Sequence, residues 1–317
     1  MERKYLIALD GSTASMAVAH YAAAMLPRDR SEIVLFLVEL DMPESFWDIY
    51  PDPENRIHKE EMAQWAERQK KCFASVLEAA RSIFVEAGFP PKNIRIKMLR
   101  RNTGITRDII SESMDGYAAV FAGRKGCSNL ARLPIGNVAR KLVSRILHIP
   151  LVIVGESAET NHILIGFDDS RDSRNCLRLS AALFANTDKQ FHILHIARSF
   201  NLFNGEFQNG ESRKPDVTVG YPLDNQDKNR RMRIEPAMEK ALLILKEHSV
   251  KKANMESRIV TGYMNRSLGL LDTAEKEGWG TIFVGRRGIS RIQDFLMGRV
   301  GEKLVEMARD QAIWIVN

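Results

Sequence analysis

Short, almost continuously apolar runs alternate along this chain with longer stretches whose apolar positions return at helical spacing. Residues 5–9 are such a run and end in Asp10-Gly11-Ser12-Thr13. An amphipathic stretch follows from 14 to 26 and is closed by Pro27. The pattern predicts a buried strand, a turn carrying an N-cap residue, and a helix. Residues 33–40 form a second run, polar only at Glu39. Strands apolar on both faces are what a parallel sheet covered by helices requires. Residues 41–58 are irregular, with Pro43, Pro51 and Pro53. From 59 to 87 the positions Met62, Ala66, Phe73, Leu77, Ala80 and Phe84 recur at helical spacing until Gly88 and Pro90-Pro91 stop the helix. Residues 94–99 then read as a strand and 103–114 as a helix with Thr103 or Thr106 near its cap. A strand at 118–122, a helix at 137–147 and a strand at 151–154 complete the series. Alternation of this kind specifies a parallel α/β sheet with right-handed crossovers.

After a small, polar junction at 155–161 the pattern starts again. A strand at 162–167 ends in Asp168-Asp169-Ser170, matching Asp10-Gly11-Ser12. A helix at 172–184 and a strand at 191–197 follow. The stretch 199–230 is polar and without period, with Gly205, Gly210 and Gly220, and reads as functional or mobile. A helix (234–247), strand (255–260), helix (265–277), strand (281–284), helix (299–308) and strand (312–316) finish the chain. The two aspartates lie 158 residues apart, too long a period for a solenoid. The expected organisation is a tandem duplication, with domains at 1–155 and 162–317.

Between the fourth strand and the helix after it, each half carries the same glycine spacing. Gly123-Arg124-Lys125-Gly126 is followed, after nine residues, by Gly136-Asn137. Gly285-Arg286-Arg287-Gly288 is followed, after nine residues, by Gly298-Arg299. A glycine loop ahead of a helix suits phosphate, because bare backbone N–H groups and the positive helix end point at the anion. Ligands of open parallel sheets bind beyond the carboxyl ends of the strands, where strand order reverses. If the first strand is central and the fourth lies beside it, Asp10 and the loop from Gly123 to Asn137 face one crevice. Asp168 and the loop from Gly285 to Arg299 face the other. A carboxylate on one lip accepts hydrogen bonds from a ribose or base, while glycine N–H groups on the other hold phosphates. The plainer alternative makes each Asp a turn former and each glycine a tight turn. Repetition of both in register favours a binding role, more for the first half than for the second.

Composition narrows this further. The 317 residues are 44% hydrophobic and 27% charged, a soluble globular balance with room for two cores. Formal charge is +6, with basic pairs at Arg100-Arg101, Arg124-Lys125, Arg230-Arg231 and Arg286-Arg287. Two of the four pairs fall inside the glycine loops, which points to a small phosphorylated ligand and away from nucleic acid. No apolar run reaches membrane-span length and no signal-peptide core follows Met1-Glu2-Arg3-Lys4. The three scattered cysteines, Cys72, Cys127 and Cys176, form neither a zinc pattern nor a disulfide framework, so the expected setting is the cytoplasm.

Gly-x2-Gly-x9-Gly after strand four of a small α/β domain whose first strand ends in Asp resembles the universal stress protein family. The resemblance covers essentially the whole chain as two fused domains. It implies two open five-stranded parallel sheets of order 3-2-1-4-5 with helices on both faces, an adenine nucleotide alpha-hydrolase-like fold. It also implies that the fifth strands, 151–154 and 312–316, pair across the domains as a pseudo-dimer, with room for a further homodimer. In nucleotide-binding members the loop glycines hold ATP phosphates, the strand-one Asp contacts the nucleoside and the end of strand two lies near adenine. Carried over by position, this gives Asp10, Val38, Gly123, Gly126, Gly136 and Asn137, and then Asp168, Ile196, Gly285, Gly288, Gly298 and Arg299. A Ser or Thr follows the third glycine in the family. Here Asn137 still offers an amide donor, whereas Arg299 either clamps a phosphate bidentately or fills the site.

Other chemistry is sparse. His192 and His195, three apart on a strand, face opposite ways and cannot share a metal. His20, His58, His148, His162 and His248 have no ligand spacing, and the identity of any metal is left open. Cys127 inside the first glycine loop has no second cysteine near it in sequence to form a redox pair. No Walker lysine-threonine follows the glycines, no base is evident to activate water, and the signatures of adenylyl-transferring ligases are missing. The expected function is a stress-response protein that binds ATP with Mg2+ or another divalent cation and regulates protein partners, not an enzyme. The alternative is a nucleotide-free signalling or structural scaffold on the same tandem fold.

Overall fold

The computed structural model describes residues 3–39, 56–126, 135–198, 225–288 and 299–317. The chain divides into two compact units, Met1–Glu156 and Ser157–Asn317. In the first, strands β1 (Arg3–Leu9), β2 (Ser31–Glu39), β3 (Ile94–Arg100), β4 (Ala119–Gly123) and β5 (Leu151–Val154) alternate with helices α1 (Thr13–Met25), α2 (Arg56–Glu86), α3 (Ile105–Ser113) and α4 (Asn137–Arg145). The strand order is β3-β2-β1-β4-β5, all pairs parallel. The second unit has β6 (His162–Gly166), β7 (Gln190–Arg198), β8 (Met255–Tyr263), β9 (Thr281–Gly285) and β10 (Ala312–Val316). Its helices are α5 (Arg171–Phe184), α6 (Asn225–Glu247), α7 (Arg266–Glu277) and α8 (Arg299–Met307). Its order, β8-β7-β6-β9-β10, repeats that of the first unit, again all parallel.

The first strand of each unit is central because its side chains can be buried on both faces. Leu6, Ile7, Ile33, Leu35 and Val120 are fully buried, as are Ile163, Leu164, Ile165 and Ile282. The edge strand β3 is instead largely open to solvent: of its residues only Ile94 is buried, and Arg95, Ile96 and Lys97 are exposed in a row. On α2 the buried stripe is Phe73, Leu77, Ala80 and Phe84, spaced four, three and four. Ala66, expected on that stripe, is exposed, and Trp65 is half-buried instead. Edge-to-face pairs lock the first core, Tyr5 on Phe121 at 6.2 Å and Phe84 on Phe89 at 5.2 Å. In the second, Trp314 stacks on Phe283 at 4.7 Å and Phe184 meets both edge-on.

Three local readings change. Helix α3, expected from 103, starts at Ile105, and its cap is Gly104, next to Thr103, at φ +126, a conformation that side chains rarely adopt. Asp108 shapes this turn by accepting N–H bonds from Asn102, Thr103 and Gly104 and the Thr103 hydroxyl. Burial works against its charge, but these four donors hold its carboxyl below the usual range. Helix α6 begins at Asn225 and runs through Pro236 rather than starting at 234. Strand β8 runs on to Tyr263, helped by an irregular register opposite β7 between Ile196 and Arg198. Residues 199–224 of the polar stretch, and Cys127, lie outside the described residues.

The histidines carry a pH effect. His192 on β7 holds Glu256 of β8 at 2.8 Å, stacks on Trp279 at 3.8 Å and has His162 of β6 at 5.4 Å. Burial lowers its pKa, opposed by Glu256 and reinforced by His162 and Arg258. His195 on the other face, bonded to the Phe167 carbonyl at 2.7 Å, is lowered by burial too. The unfolded chain therefore takes up protons near pH 6.5 that the folded chain refuses. The stability this confers is present above that pH and is lost as pH falls through the lower, folded values. Denaturant unfolding measured between pH 8 and pH 5 should weaken on acidification, with a shallower slope in His192→Gln. An unchanged slope in the variant would remove His192 from this role.

Candidate functional site

Beyond the carboxyl end of β1 the chain must turn sharply into α1, and Asp10, Gly11 and Ser12 make that turn. Gly11 sits at φ +82, where a side chain would be strained. Asp10 Oδ1 accepts the Ser12 N–H at 3.0 Å and the Ser12 hydroxyl at 2.6 Å, and Ser12 Oγ caps α1 by accepting the Ser15 N–H at 3.1 Å. Thus the turn-forming reading of Asp10 is correct for one carboxylate oxygen. The other faces the glycine loop: a Cβ placed on Gly126 would come within 2.2 Å of Asp10 Oδ2. The loops after the first and fourth strands therefore meet, and a side chain at 126 would have to push Asp10 Oδ2 aside.

The remaining glycines let backbone approach backbone. A Cβ on Gly123 would lie 3.1 Å from the Lys125 carbonyl and 3.5 Å from that of Ala14. Gly136 returns the chain to the same place, its N–H donating to the Arg124 carbonyl at 2.9 Å. It is also the N-cap residue of α4, and a glycine brings no side chain to occupy the helix's first N–H groups. Asn137, at the first position of α4, is exposed. The segment 127–134 between these anchors lies outside the described residues. Val38 follows Leu37, the register partner of Leu9, and so sits in the row beside Asp10; its side chain is buried.

The second unit repeats this frame with different side chains. Asp168 Oδ1 accepts the Ser170 N–H at 3.0 Å, and Ser170 caps α5. A Cβ on Gly288 would come within 2.8 Å of Asp168 Oδ2, and one on Gly285 within 2.8 Å of Asp172 Cβ. Asp172 Oδ2 accepts the Arg287 N–H at 2.9 Å, a contact that loop spacing alone does not reveal. Ile196 packs under α7, where a Cβ on Gly269 would touch it at 2.9 Å. Gly298 and the side chain of Arg299 lie outside the described residues.

The basic pairs need correcting. Arg124 and Arg286 are buried, and Arg286 donates from Nε to Asn317 Oδ1 at 2.6 Å. Burial pushes Arg286 down to about 10, with Asp172 opposing and Arg287 adding to the shift, so it stays charged near neutrality. Only Lys125 and Arg287 of these four side chains reach solvent. The pairs are thus half structural, and the backbone carries more of the phosphate argument than the sequence reading allowed. No cluster of three or more acidic, histidine or cysteine side chains fit for a metal occurs among the described residues, and no described helix is long and apolar enough to cross a membrane.

The model of the universal stress protein family matches residues 1–155 and again 159–309. Among solved structures, the chain is similar to a universal stress protein from Archaeoglobus fulgidus DSM 4304 at 16% identity. That match has a TM-score of 0.60 and covers 99% of this chain and 96% of the other. A functionally unknown protein from Pseudomonas aeruginosa PAO1 matches at 10% identity and TM-score 0.58, covering 99% and 92%. A protein described as a putative universal stress protein from Pseudomonas aeruginosa UCBPP-PA14 matches at 12% and 0.56, covering 99% and 93%. At these identities the likeness is one of fold. No curated protein matches the chain in sequence.

Proposed function

Because the chain belongs to the universal stress protein family, we propose that its first unit is an ATP-binding switch that regulates protein partners in a stress response, without catalysing a reaction of its own. The observation that carries this reading is the meeting of Asp10 with Gly126 at the mouth of the helix α4 N-terminus. A carboxylate there accepts from a ribose or base, and the glycine loop with the helix end donates to the phosphates. A divalent cation would accompany the phosphates of the ligand rather than occupy a site of the protein's own. Val38 supplies an apolar wall in the neighbouring strand row, where the base would lie.

Titration of the full chain with ATP by calorimetry tests the reading. Saturable binding that falls in Asp10→Ala, whose carboxylate touches both loops, is the expected result, with no sustained ATP turnover. No binding at millimolar ATP, together with no adenine nucleotide in the purified protein, would favour the scaffold reading instead.

A further inference from the structure

We propose that Asp172 closes the second glycine loop to phosphate, so that the two units of this chain, alike in fold, differ in what they accept. The inference rests on the phosphate-binding role proposed for the first loop. Asp172 is the second residue of α5, after the cap Ser170. Its Oδ2 accepts the Arg287 N–H at 2.9 Å, and the Ser170 hydroxyl donates to the Arg287 carbonyl at 3.3 Å. Both backbone groups of Arg287, midway between Gly285 and Gly288, are therefore engaged by the start of α5. A carboxylate oxygen sits where a loop N–H would otherwise meet a phosphate oxygen. Its charge also faces the guanidinium of Arg286, which is buried. A polyphosphate entering here would have to displace Asp172 and lie close to a second carboxylate, because Asp168 borders Gly288.

The first unit lacks this arrangement for a reason written in the sequence. The position 158 residues before Asp172 is Ala14, which has no acceptor on its side chain. Ser12, the counterpart of Ser170, gives its hydroxyl to Asp10. An acid at the second position of a helix is favourable on its own account, since it faces the positive end of the helix dipole. That alone does not explain why the carboxylate reaches across to the loop, 115 residues away in sequence.

Equilibrium dialysis of the full chain against ATP reads the difference. Gly126→Val, which disables the first loop, should leave no measurable site. Adding Asp172→Ala to it should create one, with affinity raised about tenfold or more over the parent. The reciprocal change Ala14→Asp, in otherwise native protein, should weaken the first site about tenfold and needs no alteration of the second unit. A second-unit site in Gly126→Val that disappears on adding Gly288→Val overturns the proposal. So does a Gly126→Val/Asp172→Ala chain, folded by circular dichroism, that binds no ATP, or an Ala14→Asp chain that binds like the parent. If native protein binds no ATP but Asp172→Ala does, the first-unit reading fails while this one stands.

Discussion

Gly126→Val should weaken ATP binding by the first unit roughly a hundredfold while leaving the unfolding midpoint nearly unchanged. The Cβ of any residue at 126 comes within 2.2 Å of Asp10 Oδ2, far inside van der Waals contact. Either Asp10 swings away or the loop moves, and both destroy the meeting of carboxylate and backbone donors. If Asp10 swings, the bonds its Oδ1 makes to the Ser12 N–H and hydroxyl go with it, and the turn that caps α1 loosens. Loss of one charged hydrogen bond and one backbone donor to phosphate amounts to about 3 kcal/mol, or roughly a hundredfold in Kd. Stability should change little, because Gly126 is half-buried in a loop outside the sheet. Gly288→Val, the same change at the matching place in the second unit, serves as the control and should leave ATP affinity alone. Affinity within threefold of the native protein in Gly126→Val would separate the loop from nucleotide binding.

The parts of this molecule that could be read in the sequence are those where one residue's character decides its place. Strands apolar on both faces had to lie inside a covered sheet, and the duplicated Asp and glycine spacings placed the same two loops together in each unit. What could not be read depends on partners with no sequence signature. Arg286 sits beside glycines and looks like a ligand-facing cation, yet it is held inside by Asn317, 31 residues on, and by the end of β10. The turn before α3 belongs to Gly104 and Asp108, because a carboxylate gathering three consecutive N–H groups outweighs the threonines nearby. Helix α6 starts nine residues early, through a polar stretch whose apolar period is too weak to announce it. The contrast between Asp172 and Ala14 was visible in the aligned halves. Its meaning was not, since the group that Asp172 holds is a backbone N–H, which every residue but proline possesses.

Trp314→Ala should cost the second unit about 3–5 kcal/mol, enough to lower its unfolding midpoint on the order of 10 °C. The indole is fully buried, stacked on Phe283 at 4.7 Å with an interplanar angle of 13°, and Phe184 closes its edge at 6.3 Å. Phe283 is also its register partner across the β9–β10 pair, so the stack ties together the two strands that frame the glycine loop. Truncation leaves a cavity between a sheet and a helix, elements too regular to collapse into it. The effect should reach the loop as well. Arg286 donates its N–H to the Val316 carbonyl at 2.7 Å and its Nε to Asn317, so the end of β10 fixes where Gly285–Gly288 lies. Hydrogen exchange should therefore accelerate at Arg286 and along β9 and β10, while β1 and β4 of the first unit keep their protection. Trp314→Phe retains an aromatic face for Phe283 and should recover about half of the loss. A cost below about 1 kcal/mol for the alanine variant would show that neighbouring side chains refill the space. The stack would then be packing that the fold can do without, and the loop's position would have to rest on Arg286 and Asn317 alone.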